Sequence, residues 1–277
     1  MSAAPVSFLA AGDLMIDVVI AGPGHDAIAR LGPGGTAANT AVWAAALGAR
    51  STAIGAIGAD SAGRFLRAEL ERRGVDPLFA VEPTSRTGTF VVADGELHVD
   101  RGANATLEPS MLPPVLEANA VLVSGYLPAD ALAAALARAR GDWVMLDAAA
   151  LSELPEGGSA VVANEQQARA VTGLEAEDAV QAFAERYRLA CVTLGARGAV
   201  AVLDGRLERA EPEDRALQEA PGAGDAFAAA LLVSLARGAS LADALAVGCR
   251  CGAEAARSPG WPSMKESPSE AERREAL

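Results

Sequence analysis

An aspartate after two glycines, at the start of an apolar segment, is the first candidate for chemistry in this chain. The residues are Gly222, Ala223, Gly224 and Asp225, and the apolar segment 226–233 predicts a buried helix. Free N–H groups in a first helical turn, together with the helix dipole, favour a phosphate there. A carboxylate at that place would repel the phosphate unless it takes the proton of an attacking hydroxyl. A tight loop with a capping aspartate explains the four residues alone equally well.

Two further groups of polar residues come early in the chain. Asp17 stands among apolar neighbours, where a carboxylate could accept two sugar hydroxyls, although an exposed place on an edge strand is the alternative. Gly34 and Gly35 lead into a helix whose first turn carries Asn39. That amide could bind a polyol, or it could be a solvated residue at a helix start.

Later turns carry candidates of the same kind. Arg101 and Asn104 offer a cation and an amide, with surface solvation as the alternative for Arg101. Thr193 precedes a turn containing Gly195 and Gly198, which suits either the approach of a nucleotide to the backbone or a plain β-hairpin.

One segment could organise a metal. Asn164 and Gln167 follow a predicted strand and could hold a hydrated Mg²⁺ beside phosphates. Equally, Asn164 could be a helix N-cap followed by ordinary helix surface.

Composition favours one enzyme-sized α/β unit. The 277 residues suffice for a core on both faces of a sheet, and 51% hydrophobic but only 4% aromatic content favours a core of Ala, Val and Leu. The net charge of −13 argues against nucleic acid as a partner, yet permits one nucleotide held by local dipoles and a divalent cation.

Cysteine and histidine usage excludes two further classes. Cys191, Cys249 and Cys251 are odd in number and lack CxxC spacing, and His25 and His98 lie far from them, so neither a disulfide framework nor a zinc site is predicted. No apolar run is long enough to span a membrane free of charge, and we expect a cytoplasmic protein.

Short apolar runs alternate with longer helical patterns along the chain. Strands are predicted over 6–11, 51–54, 120–123, 143–146, 160–163, 191–194 and 200–203. Helices are predicted over 37–47, 62–73, 129–140, 166–172 and 178–187. This order predicts an α/β fold with a doubly wound, mostly parallel sheet, whose ligands bind at the carboxyl ends of the strands. The β-like pieces 17–20, 87–92 and 97–100 predict a small flap, and 267–277 a solvated helix or tail.

Taken in order, these motifs resemble the PfkB, or ribokinase-like, family of carbohydrate kinases over nearly the whole chain. Their joint order and spacing carry the resemblance: 12–17, Gly34-Gly35 with Asn39, 55–58 followed by Asp60 and Gly63, Ser124-Gly125, 193–195 with Gly198, and 222–227. The resemblance implies a single domain over 1–277 with a β-sheet lid from parts of 17–34 and 84–103. It also implies ATP, Mg²⁺ and a sugar or nucleoside whose hydroxymethyl group is phosphorylated.

By this resemblance, Asp225 matches the family's catalytic base, and the backbone of Gly222, Ala223, Gly224 and Asp225 matches its anion hole. We expect acceptor contacts from Asp17, Gly34, Gly35, Asn39, Arg101 and Asn104. We expect ATP contacts from Asn164, Thr193, Gly195, Gly198, Gly222, Gly224 and Cys249. Cys249 belongs to a helix whose small residues, Gly248 and Gly252 included, could leave room for a flat base or permit close helix packing.

Three positions depart from the family pattern. Glu219-Ala220-Pro221 replaces the usual Asp-Thr-Thr, so a monovalent-cation site and potassium activation are not assumed. Gln167 replaces the glutamate of Asn-x-x-Glu, and Glu165 points from another face of the helix. Ala149 replaces the asparagine of Asp-x-Asn after Asp147, which removes a substrate contact that some members make.

The sequence leaves the acceptor open among ribose, fructose-type sugars, 2-keto-3-deoxy-aldonates and nucleosides. The alternative from another class is a binding protein that has lost efficient turnover, which Gln167 and Pro221 would suit. Asp225 favours the enzyme, because binding alone needs no base beside an anion hole. Family members often dimerise through the lid, so a homodimer is a further implication.

Overall fold

The structure is a computed structural model, and it describes residues 5–22, 24–93, 96–211 and 221–257. The strands in these ranges are β1 (Ser7–Ala11), β2 (Met15–Ala21), β3 (Ile28–Gly34), β4 (Arg50–Gly58), β5 (Val75–Glu82), β6 (Gly88–Ala93), β7 (Glu96–Asp100), β8 (Leu116–Glu117), β9 (Ala120–Ser124), β10 (Ala139–Arg140), β11 (Trp143–Asp147), β12 (Ala160–Asn164), β13 (Leu189–Thr193), β14 (Ala199–Leu203) and β15 (Arg206–Ala210). The α-helices are α1 (Thr36–Ala46), α2 (Ser61–Arg72), α3 (Ala129–Arg138), α4 (Glu165–Thr172), α5 (Ala176–Ala184), α6 (Ala223–Ala236) and α7 (Leu241–Ala256). The segments 212–220 and 267–277 lie outside the described residues.

A nine-stranded sheet in the order β15-β14-β13-β12-β11-β9-β1-β4-β5 forms the centre of the molecule. Its strands pair in parallel except at β13-β14 and β14-β15, which are antiparallel. Alternate residues of β1 face opposite cores: Phe8 and Ala10 pack in the cluster that contains α1, α6 and α7, whereas Leu9 and Ala11 pack in the cluster that contains α3. The predicted doubly wound, mostly parallel α/β sheet is confirmed.

The strands that sequence patterns missed lie mainly at sheet edges. β5 is an edge strand of the large sheet and contains Pro77, and β15 at the other edge is largely exposed and charged. An edge strand tolerates proline and polar side chains because one side of its ladder faces solvent. The helix predicted to reach 140 ends at Arg138, because Ala139–Arg140 becomes a short strand beside β8.

A second, small sheet stands apart from the large one in the order β3-β2-β6-β7. It is built from residues 15–34 and 88–100, and its residues 94 and 95 lie outside the described ranges. β2 is an inner strand, parallel to β6 and antiparallel to β3, while β6 and β7 are antiparallel. The chain enters the small sheet directly after β1, so the small sheet lies at the carboxyl edge of the large sheet.

No helix within the described ranges is both long and apolar enough to cross a membrane.

Candidate active site

A cavity of about 450 Å³ lies where the carboxyl ends of the large sheet, the small sheet and the start of α6 meet. After the ligands that the sequence analysis predicts for them, we call the part beside the small sheet and α1 the acceptor end, and the part beside α4, β13 and α6 the nucleotide end. The acceptor end contains Asp17 and Asn39, and the nucleotide end contains Asn164 and Thr193. Asp225 also lines the cavity, and the volume suits small ligands.

The first turn of α6 leaves room for an anion. Gly222 precedes the helix in a left-handed conformation with φ 84°, and Gly224 is the second helical residue. A Cβ added at Gly224 would meet no atom of the described residues within 4 Å. Glycine costs about 1 kcal/mol relative to alanine inside a helix, and neither crowding nor a positive φ requires it here. The open space lets a ligand approach the free N–H groups of this turn.

Asp225 is a half-buried carboxyl in the same turn. Its pKa is raised to about 7, mainly by burial and also by the charge of Asp147, while a hydrogen bond from Asn39 opposes the rise. In that hydrogen bond Asn39 Nδ2 donates to Asp225 Oδ2 over 3.0 Å. A carboxyl with a pKa near neutrality is suited to accept a proton at physiological pH.

Asp17 and Asn39 form the acceptor end. Asp17 is 8% exposed on the inner strand β2, so the alternative of an exposed position on an edge strand does not hold. Its pKa is raised to about 8, mainly by burial and also by the charge of Asp225. Asn39 is 5% exposed, and its buried Oδ1 has no hydrogen-bond partner among the residues that the structure describes. A carboxyl and an unpaired amide oxygen facing one cavity can both accept hydrogen bonds from ligand hydroxyls.

Gly34 and Gly35 allow the chain to pass close to these groups. A Cβ at Gly34 would lie 1.7 Å from Asp17 Oδ1, and one at Gly35 would lie 2.3 Å from the Asp13 carbonyl oxygen. Gly35 also has φ 83°, which side chains disfavour. Gly35 lines the cavity, whereas Gly34 supports Asp17 from behind the cavity surface.

The two expected acceptor residues on the second flap pair have different roles in the structure. Arg101 lines the cavity, but its Nε donates to Asp13 Oδ2 over 3.0 Å and its Nη2 to Asp13 Oδ1 over 2.7 Å. Burial raises the pKa of Asp13, and the Arg101 guanidinium opposes that rise. Asn104 does not line the cavity. Its Oδ1 accepts from the Leu14 N–H, and its Nδ2 donates to the Leu14 and Arg101 carbonyls, so these structural hydrogen bonds account for its amide. The acceptor contact expected of Asn104 stays a prediction.

Asn164 and Gln167 form a capping box at the start of α4. Asn164 Oδ1 accepts from the Gln167 N–H and Gln167 Oε1 accepts from the Asn164 N–H, both over 2.8 Å. Glu165 pairs with Arg197. Both members of the capping box line the cavity, but the described residues contain no group of three or more His, Cys, Asp or Glu placed to hold a metal.

Three expected ATP contacts lie outside the cavity wall formed by the described residues: Gly195, Gly198 and Cys249. Residues 194–198 form the hairpin between β13 and β14, with the Leu194 N–H donating to the Gly198 carbonyl over 2.7 Å. A Cβ at Gly198 would lie 1.9 Å from the Ala210 carbonyl oxygen, so packing on β15 explains this glycine. Cys249 is buried beside that same carbonyl.

The small residues of α7 allow close packing against α6. A Cβ at Gly248 would lie 2.8 Å from the ring of Phe227, and one at Gly252 would lie 3.2 Å from the Ala223 carbonyl. This contact supports the helix that carries Asp225. The contact between α7 and α6 favours close helix packing, rather than room for a flat base, as the reason for the small residues of α7.

The structure adds cavity residues that the sequence patterns did not mark. Phe90, Leu97 and Val99 of the small sheet line the acceptor end, together with Tyr126 after β9. The sequence pattern of 87–92 and 97–100 predicts β conformation. Only the pairing of β6 with β7 shows which face of the small sheet carries these side chains. Asp147, at the end of β11, also reaches the cavity, and burial raises its pKa to about 6.

A doubly wound sheet with a four-stranded sheet beside its carboxyl edge is the ribokinase-like fold. The ribokinase of Thermotoga maritima superposes with a TM-score of 0.79 at 22% identity, over 98% of this chain and all of that one. The model of the pfkB family of carbohydrate kinases matches residues 7–267. The chain therefore belongs to the PfkB family, and it is a phosphotransferase that acts on an alcohol group.

Relatives with assigned substrates are sugar and nucleoside kinases. The chain is 30% identical to a fructokinase of Klebsiella pneumoniae, over 90% of this chain and 92% of that protein. It is also 30% identical to the aminoimidazole riboside kinase of Salmonella typhimurium, over 82% and 83%. A fructokinase double mutant of Vibrio cholerae with fructose, ADP and a potassium ion bound superposes with a TM-score of 0.78 at 26% identity, over 94% of this chain and 95% of that one. Kinases of this family use ATP.

Proposed function

We propose that this protein transfers the γ-phosphoryl group of ATP to the hydroxymethyl group of a sugar or nucleoside, with Asp225 as the base. The observation that carries the proposal is the position of Asp225 in a first helical turn. There the pKa of this carboxyl is about 7 and open space lies beside Gly224. Asp225 also meets Asn39 of the acceptor end through a hydrogen bond. The base is therefore shared between the two ends of the cavity.

Phosphoryl transfer needs alignment and neutralisation of charge more than covalent help from the protein. In the proposed reaction Asp17 and Asn39 hold the acceptor hydroxyls, and Asp225 orients the attacking hydroxyl and takes its proton. The new bond joins the acceptor oxygen to the γ-phosphorus, while the bond from that phosphorus to the β–γ bridging oxygen breaks and ADP leaves. Backbone N–H groups of residues 222–225 stabilise the negative charge on the transferred group.

ATP fits the nucleotide end on the evidence of the open first turn of α6. We place its phosphates beside Gly222 and Gly224, and its remaining parts toward Asn164 and Thr193, which line the same cavity. Mg²⁺ supplies charge neutralisation at the phosphates when bound with ATP. The oxygens of Asn164 and Gln167 each accept one hydrogen bond in the capping box, and each keeps a second lone pair for a water of hydrated Mg²⁺.

We further propose that the small sheet is a lid. Its strands β2, β6 and β7 contribute Asp17, Phe90, Leu97 and Val99 to the cavity wall, so their movement would open and close the acceptor end. A closed lid keeps water from competing with the acceptor as the nucleophile. Action in the cytoplasm, where ATP is available and the buried thiols stay reduced, and pairing of two copies through the lid remain predictions.

The test is ADP release over a panel of acceptors in the presence of ATP and Mg²⁺. The panel contains ribose, fructose, 2-keto-3-deoxygluconate, inosine and uridine. Release that depends on one acceptor, with phosphate found on its hydroxymethyl oxygen by ³¹P NMR, supports the proposal. ADP release at the same rate with every acceptor and without any would assign the site to ATP hydrolysis and contradict the proposal.

A further inference from the structure

A row of residues crosses the small sheet from a carboxyl group to an apolar surface. Strand pairing sets Asp17 of β2 beside Phe90 of β6, and Phe90 beside Val99 of β7. All three line the cavity, and Leu97 lies on the same face two residues before Val99. Because neighbouring strands are about 4.8 Å apart, Val99 lies roughly 10 Å from Asp17 along this row.

The far end of the row is uncovered. Leu97 is 57% exposed and Val99 is 53% exposed, although both border a cavity whose inner groups are polar and buried. Exposed apolar side chains that continue a ligand cavity are typical of a wall that a ligand completes. The wall therefore fits a ligand with hydroxyls at one end and an apolar part at the other.

The length of the row separates two kinds of acceptor. A monosaccharide that hydrogen-bonds to Asp17 and Asn39 covers about one strand spacing and ends near Phe90. A ring attached to that sugar continues along the row and covers Leu97 and Val99. Both kinds of acceptor place their hydroxyls at the same polar groups, so only the attached ring distinguishes them.

The charge of the cavity restricts the attached group. Four carboxyl groups line it, those of Asp13, Asp17, Asp147 and Asp225. Among the cavity-lining residues within the described ranges, Arg101 alone has a cationic side chain, and Asp13 neutralises it through two hydrogen bonds. An acceptor with a phosphate or carboxylate substituent would face several carboxyl groups and no cation that lacks an anionic partner, which disfavours it.

We propose that the acceptor is an uncharged glycoside of nucleoside type, whose ring substituent packs on Phe90, Leu97 and Val99. The inference rests on the proposed kinase function, because it names the acceptor of that site. It excludes sugar phosphates and aldonates and ranks a nucleoside above the free sugar. It also makes Val99 and Leu97 specificity-determining residues that do not take part in phosphoryl transfer.

The experiment measures kcat/KM with inosine, ribose and fructose 1-phosphate for the parent protein and three variants of β7. Val99→Ser and Leu97→Ser place a hydroxyl on the apolar wall, and His98→Ser changes the opposite face of the same strand. We expect each wall variant to lower kcat/KM for inosine by about 5- to 10-fold and to leave ribose unchanged, because only the ring loses apolar burial. His98→Ser should change neither, and the parent should prefer inosine over both other acceptors.

A fourth variant tests whether the charge of the cavity disfavours anionic acceptors. Asp13→Asn keeps the shape of the side chain but leaves the Arg101 guanidinium without its anionic partner. We expect the ratio of kcat/KM for fructose 1-phosphate to that for ribose to rise several-fold. An unchanged ratio in a folded variant would overturn the exclusion of anionic acceptors.

Calorimetric titration of each acceptor into the protein with ADP and Mg²⁺ gives a readout that does not require turnover. Tight binding of inosine, weakened by Val99→Ser and unaccompanied by turnover of any acceptor, would support the inference and contradict the kinase proposal. A kcat/KM for ribose or fructose 1-phosphate equal to or above that for inosine would overturn the inference without contradicting the proposed kinase function. A Val99→Ser effect on sedimentation but not on acceptor preference would also overturn it, since the wall would then be a contact between copies.

Discussion

The acceptor end and the nucleotide end of the cavity are built in different ways. At the acceptor end, Asp17 and Asn39 are buried, and Gly34 brings the backbone so close to Asp17 that any side chain there would collide with its carboxyl. At the nucleotide end, Gly224 faces open space, and the exposed Asn164 is hydrogen-bonded within its own helix start. One end presents buried side chains, and the other presents backbone N–H groups.

This difference assigns selectivity and charge stabilisation to separate parts of the protein. The unpaired Oδ1 of Asn39 penalises any acceptor that cannot donate a hydrogen bond to it. Backbone N–H groups at a helix start bind phosphate oxygens without regard to the rest of the molecule. Asp225, which belongs to α6 but is hydrogen-bonded to Asn39, couples the two ends.

The largest expected effect comes from the group that the two ends share. Asp225→Asn keeps the shape of the side chain but cannot accept a proton, so kcat should fall by about 100-fold or more with little change in acceptor affinity. The control is Asp178→Asn, because Asp178 also occupies the third position of a helix, α5, and is exposed. Stopped-flow or steady-state ADP release measures kcat, and unchanged turnover in Asp225→Asn would remove this residue from the mechanism.

Changes at the acceptor end should weaken one ligand only. Asp17→Ala and Asn39→Ala should each weaken acceptor binding by about 1–3 kcal/mol, since a hydrogen bond is lost or a partner is left unpaired. ATP affinity should remain nearly the same, because in the proposed binding mode the phosphates contact α6. Isothermal titration with each ligand measures both affinities, and Asp76→Ala on the exposed edge strand β5 is the control. Loss of ATP binding with acceptor binding kept would show that the two ends have been assigned in reverse.

A smaller effect on pH dependence should come from Asp147, which lines the cavity and raises the pKa of Asp225. The base must be unprotonated, so kcat/KM should fall as the pH drops below about 7. Asp147→Asn removes the repulsion that disfavours the charged form of Asp225, so this acidic limb should move to lower pH.

The matched control for Asp147→Asn is Asp142→Asn, because Asp142 is exposed just before β11 at the opposite edge of the sheet. The profile is measured as kcat/KM from pH 5 to 9 at saturating ATP and Mg²⁺. An acidic limb that stays in place in Asp147→Asn would show that this charge does not act on the base.

Sequence patterns predicted the parts of the molecule that depend on local periodicity. The strand β9 is buried at every position and apolar over 120–123, as a strand covered on both faces should be, and its predicted and observed bounds differ by one residue. Asp17, Asn39 and Asp225 meet at one edge because parallel strands end there, so their proximity follows from chain order and fold class. Family resemblance added their expected roles, which local periodicity does not contain.

Contacts between distant side chains and backbone could not be predicted in the same way. Asn104 is hydrogen-bonded to the backbone of Leu14, 90 residues away, and Arg101 is hydrogen-bonded to the carboxylate of Asp13, 88 residues away. Gly198 is required by the Ala210 carbonyl across a hairpin. For Asn104 and Arg101 the residue type suggested a ligand contact, but partners elsewhere in the chain take up their polar groups. For Gly198, a distant carbonyl leaves no room for a side chain.

The smallest expected effect tests whether the nucleotide end organises metal at all. Gln167→Glu adds a carboxylate at a position that lines the cavity, and it preserves the capping box because a glutamate oxygen also accepts from the Asn164 N–H. A negative charge in the first turn of α4 suits the helix dipole, so folding should survive. A carboxylate attracts hydrated Mg²⁺ more strongly than an amide does, so the Mg²⁺ concentration for half-activation should fall.

Gln166→Glu adds the same charge one residue earlier on an exposed position and serves as the matched control. The measurement is a Mg²⁺ titration at fixed, saturating ATP and acceptor, with potassium present and absent in separate runs. Half-activation that Gln167→Glu leaves unmoved, or that Gln166→Glu moves equally, would leave residues 164–167 as a helix cap alone.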